Sequence, residues 1–65
     1  MSLQTRIRMA RRQAGLSQAT LAQHVGVQRS AVSHWEGPQG KHPRVAHLRD
    51  IATITGTQFE WLADR

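Results

Sequence analysis

The sequence contains no cysteine. That excludes a disulfide framework and a thiolate metal site, and it suits a reducing compartment such as the cytoplasm. No apolar run approaches the roughly 18 residues that a membrane span requires. The N-terminus, MSLQTRIRMARR, is broken by arginine every few residues, so it lacks the continuous apolar centre of a secretory signal. No segment alternates apolar and polar residues cleanly enough to read as a half-buried strand. Acids are scarce and late. Residues 1–35 carry Arg6, Arg8, Arg11, Arg12 and Arg29 and not one acid, whereas Glu36, Asp50, Glu60 and Asp64 all lie beyond.

The formal charge is +5, and its distribution makes one end of the molecule positive and the other roughly neutral. A positive end favours a polyanionic partner, most often nucleic acid. The plainer account is that arginine keeps exposed helices soluble. A chain of 65 residues is expected to form a single domain, burying only about 60% of the surface its unfolded form exposes.

The apolar spacing is helical throughout. A first helix is predicted from about Leu3 to Ala14, with Leu3, Ile7, Ala10 and Ala14 on its buried stripe and Gly15 as its stop. Ser17 caps a second helix running to about His24, with Leu21 and Ala22 inward. After the turn Val25-Gly26-Val27, Gln28 stands at the N-cap position of a third helix. GPQGKHP, with two glycines and two prolines, reads as a loop. A fourth helix is expected from about Arg44 to Thr55, with Val45, Leu48, Ile51 and Ala52 inward. Gly56 ends it, and Thr57 caps a short fifth helix containing Phe59 and Leu62. The fold class is therefore a compact all-α domain of five helices with short connections.

Residues 17–36 meet the demands of a helix-turn-helix unit. Ala22 is small enough for a second helix to cross closely. Gly26 tolerates positive φ in the turn. Val32 and Trp35 supply the apolar plug of the second helix. On that helix Arg29, Ser30, Ser33 and His34 fall on one side, and Ala31, Val32 and Trp35 on the other. The major groove admits a helix and shows a distinct donor and acceptor pattern for each base pair. Arg29 fits guanine O6 and N7 bidentately. Ser30 donates or accepts without selectivity, and His34 donates to guanine or to phosphate. Arg6, Arg8 and Arg12 read as solvated, with one of them available to a phosphate.

GLSQATLAQHVGVQRSAVSHWEG, with the preceding RIRMARRQAGLSQ and the closing GTQFEWL, resembles the lambdoid phage repressor and Cro family of helix-turn-helix regulators. The resemblance covers nearly the whole chain. It implies a five-helix, lambda-repressor-like domain that docks on a near-palindromic operator as a homodimer, its second motif helix in the major groove. Residue by residue, Arg29, Ser30 and His34 match base-reading positions. Gln28 and Ser33 match positions near the backbone or groove wall. Gln18 matches a glutamine that braces a phosphate and the neighbouring helix, and Lys41 and Arg44 match phosphate contacts. Arg11 and Glu36 match a partly buried ion pair; phosphate is the other partner open to Arg11. Arginine, serine and histidine replace the glutamines that close relatives carry at the reading positions, so the family's preferred bases do not transfer. GPQG likewise replaces the commoner loop before Lys41.

The resemblance implies a transcriptional repressor from a phage or prophage-like locus, working in the bacterial cytoplasm. The chain fits either a whole Cro-like protein or the DNA-binding part of a longer repressor. The alternative is an antitoxin, which neutralises a toxin protein and regulates its own operon. No cofactor is expected. His24, His42 and His47 are not spaced as metal ligands, and adjacent Ser33 and His34 point about 100° apart, so no metal and no catalysis are expected. Trp61, large and apolar between Phe59 and Leu62, is expected near the two-fold interface with part of the loop before the fourth helix.

Overall fold

The computed structural model describes residues 1–38 and 41–63. Helices follow where local capping and apolar spacing agree: α1 (Leu3–Gln13), α2 (Gln18–Val25), α3 (Arg29–Glu36), α4 (Val45–Thr55) and α5 (Phe59–Ala63). There is no strand among the described residues. Ser2 and Ser17 cap α1 and α2 through their hydroxyls, which accept from the N–H groups of Thr5 and Thr20 at 3.2 and 3.0 Å. Gly26 ends α2 with φ +89°. In that left-handed turn the Gly26 and Val27 N–H groups both reach the Ala22 carbonyl, at 2.8 and 2.9 Å, so the chain reverses within three residues and α3 crosses α2 directly.

Every helix contributes to one core. Ile7 and Ala10 come from α1, Leu21 and Ala22 from α2, and Val32 and Trp35 from α3. Leu48, Ile51 and Ala52 come from α4, and Leu62 from α5. α3 packs against α2 and α1, and α4 closes the other side against α2, α1 and α5. Within extents of 25 × 25 × 20 Å there is no second layer, so one side of each helix is inside and the other faces solvent. Trp35 meets the ring of His47 at 5.4 Å between centroids, tilted by 41°, which ties α3 to α4.

Four sequence expectations are corrected. α1 ends at Gln13, and Ala14 is its exposed C-cap rather than a stripe residue; Leu16, just past the turn, packs against the core instead. Val45 is 58% exposed: it is the first residue of α4 and lines a concavity with Met1, Leu3 and Phe59 rather than packing into the core. Arg44 is the N-cap of α4 rather than its first residue. Gln58, not Thr57, precedes α5, since its carbonyl accepts from Leu62 N–H at 3.0 Å; the Thr57 hydroxyl pairs with that of Thr55. Gln39 and Gly40 of the loop, and Asp64, lie outside the described residues.

The turn generates a direct expectation. A β-carbon at Gly26 meets no atom within 4 Å, so Gly26→Ala strains only the left-handed backbone. It should cost about 1–2 kcal/mol, seen as a lower denaturant midpoint with an unchanged slope. A midpoint equal to that of the unsubstituted protein contradicts this account of the turn.

Candidate nucleic-acid interface

α3 divides cleanly into two sides. Val32 and Trp35 are buried, and Ala31 is half-buried against the core. Gln28, Arg29, Ser30 and His34 are exposed, and Ser33 is half-buried at the margin. Ser30 and His34, four residues apart, lie one above the other, as do Arg29 and Ser33. An eight-residue helix is about 12 Å long, comparable to the width of a major groove. Gln18 opens α2 and is half-buried. Lys41 and Arg44, both exposed, stand on the segment that leaves α3 and enters α4.

The position of α3 rests on Glu36, its last residue, which is 3% exposed. Arg11 of α1 grips its carboxylate through two bonds, Nε to Oε2 at 2.6 Å and Nη2 to Oε1 at 3.0 Å. The third donor of Arg11, Nη1, reaches the Leu16 carbonyl at 2.9 Å. Gln18 donates from Nε2 to the same Oε1 at 3.2 Å. One carboxylate therefore joins α1, α2 and α3. The hydrogen bond to Glu36, supported by the attraction of the two charges, raises the Arg11 pKa above its ordinary value and outweighs the opposing effect of burial. Glu36 thus favours the charged form of Arg11.

The surface potential follows from the same pair. Glu36 is the first acid in the chain, and it is buried. Residues 1–38 consequently present no exposed carboxylate, while Arg12, Arg29 and the outer part of Arg8 face solvent. The exposed side of α3 belongs to this acid-free stretch of the chain.

Two arginines expected to be solvated are engaged. Arg8 donates from Nη2 to the Glu36 carbonyl at 2.8 Å, and its Nε lies 3.8 Å from Glu36 Oε1. Arg6 hydrogen-bonds the Trp61 carbonyl and lies over the Trp61 ring, 5.4 Å from its centroid. The spacing of three between Arg8 and Arg11 was a visible sign that both face one neighbour. Nothing local marked a backbone carbonyl as the target of Arg8. Trp61, 37% exposed, lines a shallow concavity with Gln13, Thr57 and Gln58. His42, Pro43 and Val45 line a different one with Met1, Leu3 and Phe59. Among the described residues, Trp61 and the stretch from His42 to Val45 thus line different concavities.

Two short helices joined at a left-handed glycine, the second plugged inward and polar outward, define a helix-turn-helix domain of the lambda-repressor-like kind. A family model described as "Helix-turn-helix domain" matches residues 3–63, from the start of α1 to the end of α5. The chain belongs to this family, and it is a DNA-binding regulator in that general sense.

Glu36→Met should be strongly destabilising, by about 3 kcal/mol, because it leaves the Arg11 guanidinium, 12% exposed, without its partner. Adding Arg11→Met should recover much of the loss, since no buried charge is then stranded. Additive losses in the double-mutant cycle, read by chemical denaturation, would show that the two side chains are not coupled.

Proposed function

We propose that this domain is a sequence-specific double-stranded DNA-binding repressor that occupies a near-palindromic operator as a homodimer and blocks transcription there. The observation that carries the reading is the exposed row Arg29, Ser30 and His34 on a helix within a stretch, residues 1–38, that holds no exposed carboxylate. Arg29, in the first turn of α3, reads guanine through O6 and N7. Ser30 and His34 reach the neighbouring base edges, and Gln28 and Ser33 lie along the groove wall. Gln18, Lys41 and Arg44 hold phosphates and set register without reading sequence. This division suits a phage or prophage-like regulator acting in the bacterial cytoplasm.

Selection of bound duplexes from a random pool at near-physiological salt tests the reading. A two-fold symmetric motif with half-sites about 10 base pairs apart supports it. Recovery of no enriched sequence overturns it, and the antitoxin role, with a toxin protein as partner, becomes the reading to test.

Arg29→Ala should weaken binding to the selected site by about 1–3 kcal/mol and relax the choice at one base pair. Arg44→Ala should weaken all duplexes alike and flatten the dependence of log K on log salt by about one unit. Equal weakening of all sequences by Arg29→Ala makes Arg29 a phosphate contact instead.

The two-fold contact has two candidate surfaces. Trp61 is partly covered by Arg6. Val45, with Met1, Leu3, Pro43 and Phe59, forms the other, and Val45 is the more exposed of the two side chains. We therefore place the contact on the Val45 side, with Trp61 outside it. On the selected operator Val45→Asp should abolish cooperative loading of the second copy, and Trp61→Ala should leave it unchanged. The reverse pattern moves the interface to Trp61.

A further inference from the structure

Of helices α1 to α4, α3 alone lacks both a side-chain N-cap bond and a C-cap residue that returns its N–H to a carbonyl four residues back. Its N-cap, Gln28, makes no side-chain capping bond, as Arg44 before α4 does not either. α2 and α4 end in left-handed glycines, Gly26 and Gly56, that fold the following N–H groups back onto helix carbonyls. Gly37, after α3, is extended instead, with φ −84° and ψ 160°, and returns one N–H, to His34 at 3.2 Å. The last carbonyls of a helix have no partner within it and must find donors elsewhere. At Glu36 the donor is Arg8 of α1, 28 residues earlier in the sequence, whose Nη2 meets the carbonyl at 2.8 Å. Its positive charge also faces the negative end of the α3 dipole, and its Nε adds attraction to the Glu36 carboxylate at 3.8 Å.

We infer that Arg8 is a positioning residue for DNA reading: its guanidinium supplies from α1 the C-terminal cap that α3 lacks, and so sets the angle at which α3 presents Arg29, Ser30 and His34. The inference rests on the reading of α3 as the groove helix. It separates Arg8 from Arg11, which holds the Glu36 side chain. Arg8 holds the main chain, and so resists rotation and fraying of the helix end itself. The Arg8 side chain is 45% exposed, so the bond governs geometry more than global stability.

The experiment compares Arg8→Met with Arg12→Met. Both remove one positive charge from α1 and keep an apolar stem, and Arg12 is exposed. Affinity is measured for the duplex recovered by selection and for a scrambled duplex of equal length and composition, each across a salt series. Amide hydrogen exchange is recorded without DNA. Loss of charge alone lowers both affinities together. A positioning role predicts that Arg8→Met lowers the ratio of selected to scrambled affinity by roughly tenfold, the scale of one hydrogen bond to a charged group, while Arg12→Met preserves it. Arg8→Lys, which keeps a charged donor, should restore part of the ratio. Without DNA, exchange in α3 should quicken in Arg8→Met while α4 stays protected. An unchanged ratio, or equal losses in the two methionine variants, overturns the inference. If the unsubstituted protein shows no preference for any duplex, the DNA-reading proposal fails. The exchange data then decide the cap separately, unchanged α3 protection in Arg8→Met refuting it. Should Arg8→Met lose α4 protection as well, Arg8→Lys and the Arg12 comparison carry the same test.

Discussion

One buried carboxylate organises this molecule. Glu36 ends α3, yet its side chain is held by Arg11 from α1 and Gln18 from α2, and its carbonyl by Arg8. Taking a carboxylate out of water is costly unless its oxygens are satisfied, so the site permits only arrangements in which all three helices meet there. A buried ion pair of this kind adds little net stability compared with a well-packed apolar cluster. What it imposes is orientation. The apolar plug of Val32 and Trp35 keeps α3 on the core, and the polar contacts at its end restrict how far it can turn.

The same burial shapes the outer surface. Because the first acid of the chain is inside, the α1–α3 half presents positive charge undiluted by any carboxylate. Under the proposed function, long-range attraction to a polyanion and short-range reading would arise from different residues. Scattered arginines and Lys41 supply a field that any phosphate backbone feels. In the proposed complex the outward side chains of α3 would supply hydrogen bonds that depend on the base met. An eight-residue helix is too short to be stable alone in water, where roughly 12–15 residues are marginal. Its rigidity therefore comes from its neighbours: the Gly26 turn at one end, α1 at the other and the core beneath.

Much of this was legible in the sequence. Helices announce themselves through spacing and caps, which are local: Ser17, Gly15, Gly26 and Gly56 mark ends because hydroxyls and left-handed glycines act within a few residues of themselves. The stripe Leu48, Ile51 and Ala52 and the plug Val32 and Trp35 follow from the helical period. Ala14 and Val45 fit the same period and are nevertheless exposed, because a stripe says which side of a helix faces inward and not how far along it the core extends. Trp61 illustrates the opposite limit. Its size is visible in the sequence, but that Arg6, far away in the chain, lies over its ring is not.

The sequence by itself determined the helical class, the helix-turn-helix unit and the identity of the outward row on α3, since each depends on residues within a turn or two of one another. The tertiary structure decided what the arginines do. Arg8, Arg11 and Arg12 look alike on paper, all on one helix and all basic. In the fold one caps the carbonyl of α3, one grips a buried carboxylate and one remains on the surface. A long flexible cation has no local preference among these partners, and only the approach of α3 to α1 assigns each guanidinium its acceptor.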